Sequence, residues 1–398
     1  MYQSELIVDF LERNYRLDPD LSRMIISLLF LIISVYVIRK SSSSFDIAAN
    51  FLTRNLGEGI KGPTINAIAS SLPELLISSL FLFYFKDIEG FSAGYGTIIG
   101  SSAFNIAIIP VIAFLYIYIT KGKDKVFQIN KKIVKQDTYF LLGSILIMFS
   151  GIFIGIKWYW ALFLILYYFI YIYYVINKRV VENDSVKFCL KKFLKDNHLN
   201  FKDNILYAEE VSRLSALFNF KLFRIFFNGK VNTFSSIIVV ILSVIIIGSS
   251  CYLLVLATES ISEILGINLF IGAFIIAAIA SSIPDTFFSL QDAKNDKFID
   301  SFSNAYGSNI FDICIGIGLP VFIYTILSGS IDMNLPITRI GFIGDYILGG
   351  NLFIWSLIIL FVFSVLVSLI FIKSKLSIRN MIFIFILYVL FLLSLLMF

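Results

Sequence analysis

The sequence is poor in charge. Asp, Glu, Lys and Arg make up 15% of its 398 residues, against about 25% in a typical soluble domain. It has a single histidine, His198, and three cysteines, Cys189, Cys251 and Cys314. One histidine, placed in a polar stretch, argues against His-dependent acid–base chemistry and imidazole metal centres. An odd number of widely spaced cysteines implies neither a disulfide framework nor a thiolate metal site. The first 23 residues mix acids and bases without an apolar core or small-residue cleavage site, so no secretory signal peptide is expected. An intramembrane enzyme would need a nucleophile with a His or Lys base, or a His-bound metal, and the apolar runs offer none of these.

What fills the chain instead is apolar. Hydrophobic residues make up 58%, with 42 Phe and 20 Tyr, and the mean hydropathy is +0.88. This balance predicts an all-α polytopic membrane protein. A span needs about 20 mostly apolar residues, and ten such segments are read, near 22–38, 59–85, 92–119, 138–156, 158–177, 234–257, 268–290, 303–327, 350–372 and 380–397. One long polar connection, 178–233, separates two sets of five. An odd number of spans per half sets the halves in opposite orientations, the inverted-repeat arrangement of many secondary transporters. The predicted organisation is therefore a first half over 1–177, a loop over 178–233 and a second half over 234–398.

The basic residues orient this arrangement. With the N-terminus outside, only Arg13, Arg16, Arg23, Lys86, Lys157 and Arg339 fall on the outer side, and the other 26 of the 32 Lys and Arg fall inside. Positive residues favour the cytoplasmic side, so both termini are expected outside and 178–233 in the cytoplasm. Within that loop, Val211–Phe227 is amphipathic and reads either as a helix lying in the inner interface or as a basic linker. Its scattered acids show no EF-hand spacing.

Inside the apolar runs a polar string occurs twice. The first copy is Ala67-Ile68-Ala69-Ser70-Ser71-Leu72-Pro73-Glu74, the second Ala278-Ile279-Ala280-Ser281-Ser282-Ile283-Pro284-Asp285. Each is followed by a partner, Gly100-Ser101-Ser102-Ala103-Phe104-Asn105 and Gly307-Ser308-Asn309-Ile310-Phe311-Asp312. Pro73 and Pro284 remove a backbone donor and oppose helical geometry in the preceding turn. Broken backbone survives in a bilayer only when buried in protein or lining a wet cavity. Ser101 and Asn105 share a helix face, as do Ser308 and Asp312. Brought together, the strings supply six hydroxyls (Ser70, Ser71, Ser101, Ser281, Ser282, Ser308), the amide of Asn105 and the carboxylates of Glu74, Asp285 and Asp312. An all-oxygen set suits hard cations such as Na⁺, Ca²⁺ and Mg²⁺. Single serines in spans are often packing devices. Three acids in paired positions, with no Lys or Arg in the same spans beyond Lys61 at the edge of the second, mark a functional site.

These strings resemble the two alpha-repeats of the calcium/cation antiporter superfamily, over about 60–115 and 270–325. Ser308-Asn309-Ile310-Phe311-Asp312 and Gly96-Thr97-Ile98-Ile99-Gly100-Ser101 are most similar to the potassium-dependent sodium/calcium exchangers. The resemblance implies that Glu74 and Asp285 bind Ca²⁺ and Na⁺ alternately, with the serines, Asn105 and Asp312 completing the cluster. It implies Na⁺/Ca²⁺ antiport in a bilayer, with K⁺ co-transport as an option that Asp312 would serve, since potassium-independent relatives usually have Asn there. A proton/cation antiporter using the same carboxylates is the alternative. No cofactor beyond the transported ions is implied, and a prokaryotic inner membrane is the expected location. The chain departs from the pattern at Ala69 and Ala280, where the family has Gly, and at Ser70 and Ser281, where Thr is commoner. Alanine tolerates fewer backbone conformations than glycine, so helix opening there is expected to be less free.

Overall fold

Pro19 opens the first described helix, α1 (Pro19–Leu52). A proline there loses nothing, because first-turn N–H groups have no intrahelical partner. The computed structural model describes residues 18–54, 62–86, 88–120, 130–182, 199–202, 205–208, 211–295, 298–331, 352–373 and 377–396. After α1 come a π-helical turn at Gly62–Asn66, then α2 (Ala67–Ser70), α3 (Leu72–Phe85), α4 (Ile88–Thr120), α5 (Lys131–Ile154) and α6 (Trp158–Glu182). The second half runs α9 (Thr233–Leu265), α10 (Leu269–Gly272), a π turn at Ala273–Ala277, α11 (Ala278–Ser281) and α12 (Ile283–Lys294). It continues with α13 (Phe298–Phe311), a π turn at Asp312–Ile317, α14 (Gly318–Ser328), α15 (Leu352–Lys373) and α16 (Ile378–Leu396).

Among the described residues nine helices are long and apolar enough to cross a membrane, and the bent pair Thr64–Ser70 with Leu72–Phe85, angled by 45°, makes a tenth span. The protein is thus an all-α multi-pass membrane protein of ten spans in two inverted five-helix repeats. The repeat is visible in local detail. Each half has a π turn, a four-residue helix Ala-Ile-Ala-Ser and a break at a second serine. A helix with proline in its first turn follows.

Hydropathy places the end of the first span near residue 38, yet α1 runs 14 residues further. Its added turns are held by polar contacts that hydropathy does not register. Ser42 Oγ donates to Ile38 O (2.7 Å), Ser44 Oγ to Phe220 O (2.6 Å) and Lys40 Nζ to Asn219 Oδ1 (2.6 Å). The partners Asn219 and Phe220 belong to a small insert between the halves. It comprises β1 (Leu199–Lys202), β2 (Ile205–Ala208), α7 (Arg213–Phe218), α8 (Leu222–Phe227) and β3 (Lys230–Val231), with the strands antiparallel in the order β1-β2-β3. The stretch Val211–Phe227, read either as an interfacial helix or as a basic linker, therefore holds two short helices. They are separated at Phe220, whose φ of +49° no continuous helix accommodates. Leu222 and Phe223 are buried there against Ala48, Phe51 and Val239.

Two packing groups surround the centre. The long helices α1 and α9 lie against each other. With α3, α10 and α11 they form an apolar cluster around Ile38, Ile77, Phe81, Ile247, Leu254 and Ala277. A larger cluster joins α4, α5, α6, α13, α14, α15 and α16. Helix α4 sits deepest, with 78% of its apolar window buried, against 28% for α1. Gly100 explains how closely α4 can approach the other half. A Cβ there would strike the Phe274 carbonyl and come within 2.7 Å of Ala278 Cβ.

Candidate functional site

The two helix breaks set the site. Ser71 (φ −88°, ψ 6°) interrupts the second span, and Ser282 (φ −78°, ψ 0°) the seventh. Both lie at negative φ, which any residue adopts. The breaks thus fall two residues after Ala69 and Ala280 and do not require glycine at those positions. Each break turns the following helix so that its first-turn acid, Glu74 or Asp285, faces inward. Helices α4 and α13 cross beside the breaks and bring Ser101 with Asn105, and Ser308 with Asp312.

All ten expected side chains lie in this region, and all are buried. Glu74, Asp285 and Asp312 each offer a carboxylate oxygen within 4.8 Å of the other two. Eight of the ten form one continuous polar network. Ser308 Oγ donates to Asp285 Oδ1 (2.6 Å) and Asn105 Nδ2 to Asp285 Oδ2 (3.1 Å). Asn105 Nδ2 also reaches Ser101 Oγ (3.3 Å). Ser101 Oγ lies within reach of Glu74 Oε1 (3.3 Å) and Asp312 Oδ2 (3.4 Å), and Ser282 Oγ donates to it at 2.9 Å. Ser70 Oγ sits 3.3 Å from Ser308 Oγ. Ser281 donates to its own helix at Ala278 O (3.1 Å) while lying beside Glu74. Ser71 Oγ has no partner.

Four buried oxygens at the centre lack a hydrogen-bond partner, namely Glu74 Oε2, Asp312 Oδ1, Asn105 Oδ1 and Ser71 Oγ. The charged groups nearest Glu74 and Asp312 are other carboxylates. A buried acceptor without a donor is costly, and carboxylates this close repel unless a cation or proton compensates them. The donor set is oxygen only and mixes charged, amide and hydroxyl groups, which fits a hard cation held by irregular coordination.

Sequence reading passes over a further buried acid, Asp137, because it lies one residue before the expected start of the fourth span. It is 1% exposed. Ser303 Oγ donates to its Oδ2 (2.9 Å) and Tyr171 OH to its Oδ1 (3.4 Å). The neighbouring Lys131, Lys132 and Lys135 hide it in a hydropathy scan, while its position seven residues into an apolar helix is the signal that could have found it. It stands outside the central cluster and ties α5 and α6 to α13.

A profile of the family described as sodium/calcium exchanger protein matches residues 23–177 and 235–397. Sodium/potassium/calcium exchanger 1 of Gallus gallus is 36% identical over 87 residues, which is 22% of this chain and 13% of that protein. Sodium/potassium/calcium exchanger 2 of Homo sapiens is 37% identical over 76 residues, 19% of this chain and 12% of that protein. The match thus spans only about an eighth of these relatives. Among solved structures, the H⁺/Ca²⁺ exchanger CAX superposes with a TM-score of 0.60 at 16% identity, covering 98% of this chain and 88% of that one. The sodium-calcium exchanger NCX_Mj superposes with a TM-score of 0.54 at 18% identity, covering 92% and 97%. At such identities the likeness concerns the fold.

Proposed function

Because the chain belongs to the sodium/calcium exchanger protein family, a family of transporters rather than enzymes, we propose that it exchanges Na⁺ for Ca²⁺ across a membrane by alternating access. The observation that carries this reading is the buried trio Glu74, Asp285 and Asp312, with carboxylate oxygens within 4.8 Å of one another and unpartnered oxygens on two of them. Ca²⁺, or several Na⁺ ions, would neutralise the trio and satisfy those oxygens. Asn105, Ser70, Ser71, Ser101, Ser281, Ser282 and Ser308 would complete the shell. An empty trio should resist crossing a low-dielectric barrier, which favours exchange over leak. Coupling then requires each ion to bind the inward and outward forms with different free energy.

Asp312 would let K⁺ accompany Ca²⁺ by adding a charge that an amide lacks. One set of spans would slide or rock against the other, so that the site faces each side in turn. Residues 178–233 would lie in the cytoplasm and both termini outside, as the distribution of Lys and Arg favours. A prokaryotic inner membrane is the proposed location. The same unpartnered carboxylate oxygens support a second reading, in which protons replace Na⁺ as the counter-ion.

One assay separates these readings. Proteoliposomes loaded with Na⁺ are diluted into Na⁺-free buffer, and calcium uptake is followed with and without external K⁺. Uptake that needs the Na⁺ gradient and vanishes in Glu74→Gln supports the exchanger. Uptake driven by a pH gradient alone replaces it with the proton-coupled form.

A further inference from the structure

Polar side chains continue from the centre toward the face that carries residues 178–233. On α12, Ser289 and Asp292 follow Asp285 on one helix face. On α13, Ser301 and Asn304 precede Ser308 on one face. Asn66 lies one turn before Ser70, whose Oγ donates to Asn66 O (2.7 Å). Asn304 Nδ2 donates to Ser289 Oγ (3.0 Å), Ser301 Oγ to Ser289 O (2.6 Å) and Asn66 Nδ2 to Asp292 Oδ2 (3.1 Å). Helix α13 packs on the turn that carries Asn66, so the two amides stand on adjoining walls. Asn304 and Ser289 are 0% exposed and Asn66 is 8% exposed, yet the amide oxygens of Asn66 and Asn304 have no partner.

The inverted repeat provides an internal control. The pairing of Ser70 with Ser281 and Glu74 with Asp285 also pairs Asn66 with Ala277, Ser289 with Ser78 and Asp292 with Phe81. The pairing of Ser101 with Ser308 sets Asn304 against Thr97 and Ser301 against Gly94. On that opposite side Phe81 and Ala277 are fully buried in one apolar cluster. Ser78 Oγ and Thr97 Oγ1 both donate to backbone carbonyls, of Gly316 and Ala93. The two approaches to the centre thus differ in kind, one carrying amides and a carboxylate, the other apolar side chains and hydroxyls bonded to backbone.

We propose that Asn66, Ser289, Asp292 and Asn304 form a loading station for the transported cation, between the central carboxylates and the face carrying residues 178–233, with no equivalent on the other face. The station rests on the cation-antiporter reading. A partly dehydrated cation would take the two amide oxygens, the Ser289 hydroxyl and the Asp292 carboxylate as ligands before reaching Asp285 and Ser308.

The test measures calcium flux in membrane vesicles of both defined orientations. Asp292→Asn and Asn304→Leu should raise the half-saturating Ca²⁺ about fivefold from the face carrying 178–233, equivalent to ~1 kcal/mol. From the opposite face it should stay unchanged, and Asp292→Glu should restore the wild-type value. Equal shifts at both faces, or none at either, overturn the station while leaving the antiporter reading standing. A wild-type protein that moves no Ca²⁺ under any Na⁺, K⁺ or pH gradient overturns the antiporter reading and takes the station with it. Should Asn304→Leu fail to fold, Asp292→Asn alone reads the same difference, because it is nearly isosteric and its site is half-buried.

Discussion

The two halves meet at the centre with matching side chains and unequal bonding. Asp285 has both oxygens engaged, one by Ser308 from its own half and one by Asn105 from the other. Glu74, its counterpart, has long contacts to Ser101 and Ser282 at Oε1, lies beside Ser281 and has no hydrogen-bond partner at Oε2. The partner position differs again, an amide at Asn105 and a carboxylate at Asp312. The α4 helix runs on through Pro110 with no break, whereas the equivalent stretch after Asp312 is a π turn. Symmetry of backbone therefore does not impose symmetry of charge. The second half carries the better-held acid and the additional one, and both Glu74 in the first half and Asp312 in the second keep an unpartnered oxygen.

The largest expected effect comes from neutralising one of the paired acids. Glu74→Gln should lower Na⁺-driven calcium uptake at least ~100-fold, because loss of one buried charge partner costs ~3–5 kcal/mol. Asp285→Asn should do the same, and a variant retaining near-normal flux would break the paired-acid comparison. Asp312→Asn should abolish K⁺ stimulation while leaving Na⁺-driven uptake measurable. Moving the carboxylate across the pseudo-axis, with Asn105→Asp added to Asp312→Asn, should restore part of the stimulation if the halves are interchangeable at that layer.

Gly100→Ala tests the approach of the halves rather than their charge. Overpacking costs ~1–3 kcal/mol, to be read as a lower unfolding temperature in detergent together with reduced flux. Asp137→Asn sets a structural acid against the central ones. It should cost ~1–3 kcal/mol by disturbing the Ser303 and Tyr171 bonds, with calcium uptake retained. The smallest effect is expected at the exposed Arg23–Glu263 pair, 2.7 Å long and joining α1 to α9. Arg23→Ala should change stability by no more than ~1 kcal/mol in the same melting assay.

Much of this was legible in the residues. Ten apolar runs and an odd count per half follow from length and polarity alone, because a bilayer demands spans of fixed length with internal backbone bonding. The doubled Ser-Ser-x-Pro-acid string named the site side chains, since oxygen-rich strings in apolar runs have few other uses. What escaped was of another kind. The extra length of α1 depends on Ser44 and Lys40 meeting Phe220 and Asn219, contacts about 180 residues apart that no local pattern encodes. Asp137 was hidden by lysines that continue along the same helix.

The sequence by itself determined the number of spans, the repeat and the identity of the polar strings, because these rest on composition and short-range chemistry. Only the tertiary structure decided which oxygen of which acid is bonded, because a carboxylate's two oxygens are distinguished solely by neighbours from distant segments. It also decided that Asn66, Asp292, Ser289 and Asn304 bond to one another across helices, while the mirror positions Phe81 and Ala277 pack in an apolar cluster. Each of those positions looks ordinary in its own helix, and the contrast exists only when inverted helices stand side by side.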